Sequence, residues 1–549
     1  MKKRMVALML AAGMIMGCLS GCGQEEKPSN TQESTVESSS DTSSETVEPT
    51  SEPKEPVTLE WYYRGNGIQT DTQAVNDHIN ELLKEYPGLE HVTVNLHPFT
   101  SADHTNGILM AQTSGEQIDI LGTVGLNYVN EVSNGTYLAL DEYLAEDEFA
   151  ELKGAIPEWL WEAMEIDGSV YAVPNYQRGA NRQVLQIPTE YAEYADIELL
   201  ETLLDSGCKT IEDIEKLAAE MEKIVLAIRE EKDSDTQYLW RLPQVYQHNY
   251  GIGGYKDIIS APGFAMFEGT TEVVNVYLTD EFKKTCEIVA GWYVDGLIKQ
   301  DILIVNENDY IKENSMNDEA IPVMFEQAVV PLEETVFTGS YTKDEETFEV
   351  TRIPVNSNYF MINIWGAGGN GVTASCEHPE EAVLFLQAIN GGSELGTEIY
   401  NTIVYGLEGK HYTKISDDRI ETIEYTGPQA GTETSYAAHK WVMGNTFNAW
   451  KNQAVTDEAY ELDLAINENP NNAVSPIMGF RFDSSSVATE IEQCNAVYKE
   501  YYYTLAYGAK GADWEAYYNE FVAKMTAAGC QKVITEMQRQ YDAWAAATK

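Results

Sequence analysis

The hydrophobic pattern of the chain switches between strand-like runs and helical stripes. Val57-Thr58-Leu59-Glu60-Trp61-Tyr62 reads as a strand, followed by the polar loop Arg64-Gly65-Asn66-Gly67. Val75, Ile79, Leu82, Leu83 and Tyr86 then share one helical face, behind a cap at Asp71 or Thr72 and ahead of a Pro87-Gly88 stop. Val92, Val94 and Leu96 alternate as a second strand, Ile108 to Thr113 reads as a short helix, and Ile118-Asp119-Ile120-Leu121 reads as a third strand. Strands separated by helices predict a parallel, doubly wound sheet, hence an α/β fold. Ligands in such sheets sit beyond the carboxyl ends of the strands, so the loops after Tyr62 and Leu121 become candidate site loops.

Further along, Asp167 to Tyr176 reads as a turn and an extended run, and about 177–320 as largely helical. The helix Phe282 to Asp295 puts Cys286, Val289, Ala290 and Tyr293 on one face, with Gly296 as its cap. Strand character returns at Tyr359 to Ile364. Glu380 to Asn390 is a helix whose stripe is Ala382, Phe385, Leu386 and Ile389. The tail predicts two helices, striped by Trp514, Tyr517, Tyr518, Phe521 and Met525 and by Val533, Met537, Tyr541 and Trp544. No repeat of fixed period is visible.

Charge narrows the partners. Lys+Arg number 35 against 89 Asp+Glu, a net charge of −54. That balance argues against nucleic acid and against electrostatic docking on an anionic lipid surface. Residues 1–21 read as a lipoprotein signal peptide: Lys2, Lys3 and Arg4 precede an apolar run from Met5 to Met16 that is too short to span a bilayer. Leu19-Ser20-Gly21-Cys22 resembles the lipobox of bacterial lipoproteins, with cleavage before Cys22 and lipid on its thiol. The predicted place is the extracellular face of a cell membrane, held through Cys22 in the manner of Gram-positive lipoproteins. Residues 22–56 form a Ser/Thr/Glu linker with too little apolar surface to fold. Cys208, Cys286, Cys376, Cys494 and Cys530 contain no CxxC pair and suggest neither a zinc site nor a disulfide framework.

Several stretches carry a family resemblance. Asn134-Gly135-Thr136-Tyr137-Leu138-Ala139-Leu140-Asp141-Glu142-Tyr143-Leu144, Asp167-Gly168-Ser169-Val170-Tyr171-Ala172-Val173-Pro174 and His378-Pro379-Glu380-Glu381-Ala382 occur in this order behind the lipobox. Together they resemble the extracellular solute-binding protein family 1 of sugar ABC transporters. Tyr405 to Tyr412 and Gly479-Phe480-Arg481-Phe482-Asp483 resemble its LipO-type lipoprotein subgroup. The resemblance implies a two-lobed periplasmic-binding-protein-like fold of type II, with a hinge between two α/β lobes. By that analogy lobe one is 57–172 plus 322–375 and lobe two is 173–321 plus 376–549. It also implies a monomer that captures a carbohydrate, an oligosaccharide, and hands it to ABC-type permease subunits.

A sugar site needs aromatic faces for the rings and polar groups for the hydroxyls. Candidate residues are Trp61, Tyr63 and Arg64 after the first strand, Asn127 and Tyr128 after the third, and Asn175, Tyr176 and Gln177 after the crossover. Trp240, Arg241, Trp365, Asn370 and Asn445 complete the set. For each aromatic residue the competing role is ordinary core packing. Gly366-Ala367-Gly368-Gly369-Asn370-Gly371 matches G-x-G-x-x-G, but the next clear helix begins only after Pro379, so close backbone approach is favoured over a nucleotide site. His411 and His439 read as surface or loop residues. No metal, cofactor or catalytic group is expected. Two alternatives stay open: an exported glycan-acting enzyme such as a glycoside hydrolase, which needs a carboxylate pair, and the same binding fold with a peptide or another non-sugar solute.

Overall fold

The computed structural model describes residues 54–233, 239, 255–260, 263–267, 270–304, 324–328, 336–343, 346–354, 360–361, 368–423, 436–453, 455–468, 473–474, 477 and 480–548. The signal and linker expectations, including Cys22, lie outside these residues. So do Trp240, Arg241 and Trp365.

The opening pattern folds as its periodicity predicts. β1 (Val57–Arg64), β2 (Val92–Phe99) and β3 (Ile120–Gly122) pair in parallel in the order β2-β1-β3. α1 (Thr72–Leu83) buries Val75, Ile79 and Leu83. α2 (His104–Ser114) starts four residues before the predicted helix, and Gly107 is what lets it seat: a Cβ there would lie 2.3 Å from the Phe99 ring. Two short strands extend the sheet. Gly369–Val372 runs antiparallel to β3, and Val173–Pro174 runs antiparallel to Gly369–Val372. Gly369, Asn370 and Gly371 of the glycine-rich motif therefore belong to a strand. A Cβ on Gly369 would meet the Val173 carbonyl at 2.7 Å, and one on Gly371 the Tyr171 carbonyl at 2.6 Å, which is why that strand needs glycine.

A second sheet is built on the long strand Ala180–Pro188. Glu346–Pro354, Met324–Ala328 and Phe360–Met361 all pair antiparallel with it, and Phe337–Lys343 extends the Glu346–Pro354 edge. A third set, Tyr255–Ser260, Phe264–Phe267 and Val273–Asn275, is an antiparallel meander. Among its described residues, the stretch expected to be largely helical thus contains four strands. Its long helices, Ile211–Lys232 and Asp280–Val294, fall inside it as well.

Packing divides the chain differently from the expected boundaries. One core joins Leu59, Trp61, Ile79, Val94 and Ile120 to Phe385, Ile389, Ile403, Val442 and Met443. Residues 379–405 and 436–449 therefore pack with lobe one, although 376–549 was expected in lobe two. Conversely, Val350 and Ile353 lie on the sheet built by Ala180–Pro188, and Ile353 packs with Leu185, Leu204 and Ile224. Within the expected 322–375, Gly369–Val372 lies in the first sheet, whereas the described strands between 324 and 361 lie in the second. The tail has three helices, Ala488–Ala506, Trp514–Ala527 and Cys530–Thr548, where two were expected. Tyr501, Tyr502, Phe521, Met525, Val533 and Met537 form their buried face.

Candidate functional site

Because β1, β2 and β3 are parallel, their carboxyl ends share one edge. The described residues 406–423 and 436–452 include groups that cover that edge and are stitched to it through side-chain and backbone bonds. Asn66 Nδ2 and Gln69 Nε2 donate to the Ala437 carbonyl at 2.9 and 2.7 Å, and Ala437 N donates back to Gln69 Oε1 at 3.0 Å. Asp71, expected to cap α1, makes no capping bond. It accepts instead from Lys410 Nζ at 2.5 Å and from His411 Nε2 at 3.1 Å. Leu407 N donates to His411 Nδ1 at 2.8 Å, which places the ring proton on Nε2. Of the surface or loop position expected for His411, the loop stands and the surface does not: it sits in a turn, is 7% exposed and acts as a buried fastener.

Arg64 ends β1 beneath this cover. Its Nε donates to Ser101 Oγ at 3.0 Å, and its guanidinium carbon lies 5.7 Å from the centre of the Trp441 ring. His439 stacks on Trp441 with ring centres 5.8 Å apart. His104 is buried on the other side of Arg64 with neither ring nitrogen hydrogen-bonded. Burial, then the Arg64 charge, pushes its pKa down to about 4.

Behind the edge lies a buried polar relay. Trp61 Nε1 donates to Asn370 Oδ1 at 3.0 Å, Asn370 Nδ2 donates to Asn175 Oδ1 at 3.0 Å, and it also reaches the Val442 carbonyl at 3.4 Å. Trp61 and Tyr63 are 0% and 2% exposed, with ring centres 4.7 Å apart, and Phe385 meets Trp61 edge-on at 5.5 Å. Their expected role as sugar platforms is corrected here: both ring systems are core, because strict alternation turns them onto the helix-covered face of the sheet. Asn370 and Asn175 are likewise buried and hold the crossover, so neither offers its amide to the open surface.

The open space lies beside the connector that follows the crossover. A cavity of about 390 Å³ is lined by Gln177, Arg178, Lys440, Trp441, Thr446, Phe447, Trp450, Lys451, Tyr460 and Asp463, among others. Gln177 Nε2 donates to the Trp441 carbonyl at 3.1 Å, and Arg178 Nη1 pairs with Asp463 Oδ1 at 2.9 Å. Tyr176 packs on Phe447 with ring centres 4.8 Å apart, and its carbonyl accepts from Thr446 N at 2.8 Å. Phe447 meets Tyr460 edge-on at 6.0 Å, and the Tyr460 hydroxyl donates to the Phe447 carbonyl at 2.8 Å. Lys451 Nζ lies 4.7 Å from the centre of the Tyr460 ring. The walls thus combine aromatic faces with charged and amide groups.

Of the expected residues, Gln177 lines this cavity, Tyr176 backs it, and Arg64 holds its Trp441 rim. Asn445 stands behind, accepting from Phe447 N at 3.0 Å. Asn127 and Tyr128 lie elsewhere. Asn127 caps the helix Tyr128–Ser133 and donates to Ser484 Oγ at 3.3 Å, while the Tyr128 hydroxyl donates to the Met164 carbonyl at 3.1 Å. Sequence reasoning missed Trp441, Tyr460 and Asp463. The last two had a signal: Tyr460, Asp463 and Asn467 share one face of the helix Asp457–Glu468.

Residues 476–546 match a domain of unknown function (DUF3502). A carbohydrate ABC transporter substrate-binding protein of Streptococcus pneumoniae is 23% identical over 471 residues, covering 84% of this chain and 86% of its own. The crystal structure of the N-glycan transport solute-binding protein NgtS from S. pneumoniae superposes with a TM-score of 0.64 at 21% identity, over 90% of this chain and 100% of that one. The chain has the two-lobed solute-binding-protein fold. These relatives share the fold that the motifs led us to expect. The solute-binding fold is shared more distantly by an extracellular solute-binding protein of Bifidobacterium longum subsp. infantis, with a TM-score of 0.52 at 13% identity over 89% of this chain and 99% of that one. Among the described residues, no helix of this solute-binding fold is long and apolar enough to cross a membrane.

Proposed function

We propose that this chain is an extracellular solute-binding protein that captures an oligosaccharide in the cavity bordered by Trp441 and presents it to an ABC-type permease. The observation that carries the reading is the composition of that cavity. Trp441, Phe447 and Tyr460 supply apolar ring faces, and Gln177, Arg178 and Asp463 supply polar groups at their edges. Stacking satisfies the carbon face of a sugar and directed polar groups satisfy its hydroxyls. The NgtS complex with Man1GlcNAc supports the reading from outside: its TM-score is 0.60 at 19% identity, over 89% of this chain and 99% of that one. The curated relative is a transporter component by name, which favours binding over turnover. In this reading the mature protein is a monomer tethered through lipid on Cys22. Ligand bound across the connector shifts an open–closed equilibrium that the permease senses.

The test is thermal unfolding of the protein against a panel of oligosaccharides, with the glycan recovered afterwards. Ligand at about 1,000 times its Kd adds roughly 4 kcal/mol to the native state and raises the melting temperature. Trp441→Ala is expected to weaken binding about 10- to 100-fold while moving the ligand-free melting temperature by no more than a few degrees. Cleaved glycan overturns the binding reading in favour of an enzyme. Absence of any shift across the panel overturns the carbohydrate.

A further inference from the structure

The cavity wall is richer in cations than the composition of the chain supplies. Acidic residues outnumber basic ones 89 to 35 overall, yet the wall carries Arg178, Lys440 and Lys451 against one carboxylate, Asp463. Two of those cations are matched. Arg178 meets Asp463 at 2.9 Å, and Lys451 meets Asp418 at 3.1 Å and Asp457 at 2.8 Å. Lys440 is not matched. Asp463 acts on it through space, and among the described residues its Nζ makes no hydrogen bond or ion pair. The residue as a whole is exposed, but the protein around its ammonium desolvates it and pushes its pKa below the ordinary lysine value. Lys440 therefore leaves a cation on the cavity wall with no hydrogen-bond or ion-pair partner among the described residues. An anion placed there supplies that partner, and the neighbouring Trp441 and Phe447 faces remain available for the ring that carries it.

We infer that the cavity takes a glycan bearing a carboxylate, such as a uronic or sialic acid residue, with Lys440 as its counter-ion. This rests on the reading of the chain as a carbohydrate-binding protein. The net charge of −54 opposes an approaching anion at long range. That field is screened beyond about 8–10 Å at physiological salt, so a cation within contact distance decides the outcome.

The experiment is calorimetric titration of the full chain with two matched pairs: a sialylated oligosaccharide and its desialylated form, and a glucuronate-terminated oligosaccharide and its carboxyl-reduced form. The neutral panel above runs alongside. The expected result is that the acidic member of at least one pair binds about tenfold more tightly, the ratio that one close charge pair of roughly 1.4 kcal/mol gives. Lys440→Met brings that ratio towards one, and Lys440→Arg restores it. Raising the salt concentration shrinks it. Acidic members that bind no better than their neutral partners, or a ratio that survives Lys440→Met, overturn the inference while the carbohydrate reading stands. If no member of either pair and no panel glycan binds, the carbohydrate reading itself has failed.

Discussion

Removing the amide of Asn370 tests the claim that a polar relay, and not an exposed sugar platform, is what Trp61 serves. Asn370 is 1% exposed and joins three parts of the fold: β1 through Trp61 Nε1, the crossover through Asn175 Oδ1, and the covering segment through the Val442 carbonyl. Asn370→Ala leaves the indole N–H and the Asn175 oxygen without partners, both shielded from water. A buried polar group deprived of its partner costs about 1–3 kcal/mol. The two well-formed bonds at 3.0 Å therefore set the loss at about 2–6 kcal/mol. The longer contact at 3.4 Å adds little. Water entering the vacated amide volume recovers part of this, so a loss of about 2–4 kcal/mol is expected. Urea unfolding followed by tryptophan fluorescence reads it, because Trp61 reports on its own surroundings. Asn370→Asp is the companion variant. It keeps the acceptor for Trp61 but turns a second carboxylate oxygen towards the Asn175 oxygen, and it should be at least as destabilising. Were Asn370→Ala to unfold within about 0.5 kcal/mol of the parent, the relay would carry no stability. The assignment of Trp61 to the core would then rest on packing alone.

Other perturbations have signs fixed by the structure. His104 titrates near pH 4 when folded and near 6.5 when unfolded, so the unfolded chain binds the extra proton between those values. Its contribution is fully present above about pH 6.5 and is lost as pH falls towards 4, worth up to about 3 kcal/mol. His104→Phe should flatten that part of a stability–pH curve measured by urea unfolding, and an unchanged slope would refute the burial argument. Gly371→Ala should lower the melting temperature clearly, because its Cβ would press on the Tyr171 carbonyl at 2.6 Å and the Tyr137 ring at 2.4 Å. Gly154→Ala, in the helix Ala150–Ala155 with nothing within 4 Å of the new Cβ, should raise stability by about 0.5–1 kcal/mol. Equal effects of the two substitutions would show that sterics are not what keeps glycine at 371.

What could be read from the sequence divides along physical lines. The first sheet and its helices were legible because each element owns a complete period: Val75, Ile79 and Leu83 make a stripe, and Val92, Val94 and Leu96 make a face. The strand Ala180–Pro188 was not. Leu185 and Ile187 face one core, and Gln186 between them, on the opposite face, is fully buried as well and accepts from Arg352 Nη2 at 3.1 Å, so its polar letter does not mark a solvent face. The division into lobes failed for another reason. Helices Pro379–Gly391 and Glu394–Tyr405 are buried on most sides from Ala382 to Asn390 and from Ile399 to Val404, and a local apolar stripe does not say against which sheet a helix packs. At the site, Arg64 and Gln177 were found because position at a strand end or after a crossover is a local property. Trp61 was misplaced because the same property cannot tell which face of the strand a side chain takes. Trp441 was missed because its place beside Arg64 depends on Gln69, Asp71 and Asn370, 71 to 372 residues away from no pattern a local window contains.

The same fasteners explain why the cavity suits a ligand that must be released again. The segment carrying Trp441 and Phe447 is fixed to the first core before any ligand arrives. Tyr436 and Tyr400 donate to the Ile403 and Met443 carbonyls at 2.6 and 3.2 Å, and Asn448 Nδ2 donates to the Asn390 carbonyl at 2.9 Å. Binding energy therefore need not be spent on ordering those aromatic faces. The opposite wall is different in kind. Gln177 and Arg178 sit on the short connector between the crossover Val173–Pro174 and the strand Ala180–Pro188, that is, between the first sheet and the second. A sugar that stacks on Trp441 and bonds to Arg178 presses on a fixed wall and on the link between sheets together. Its differential contacts would then bias how the two sheets stand to one another, which is the quantity that the proposed function requires.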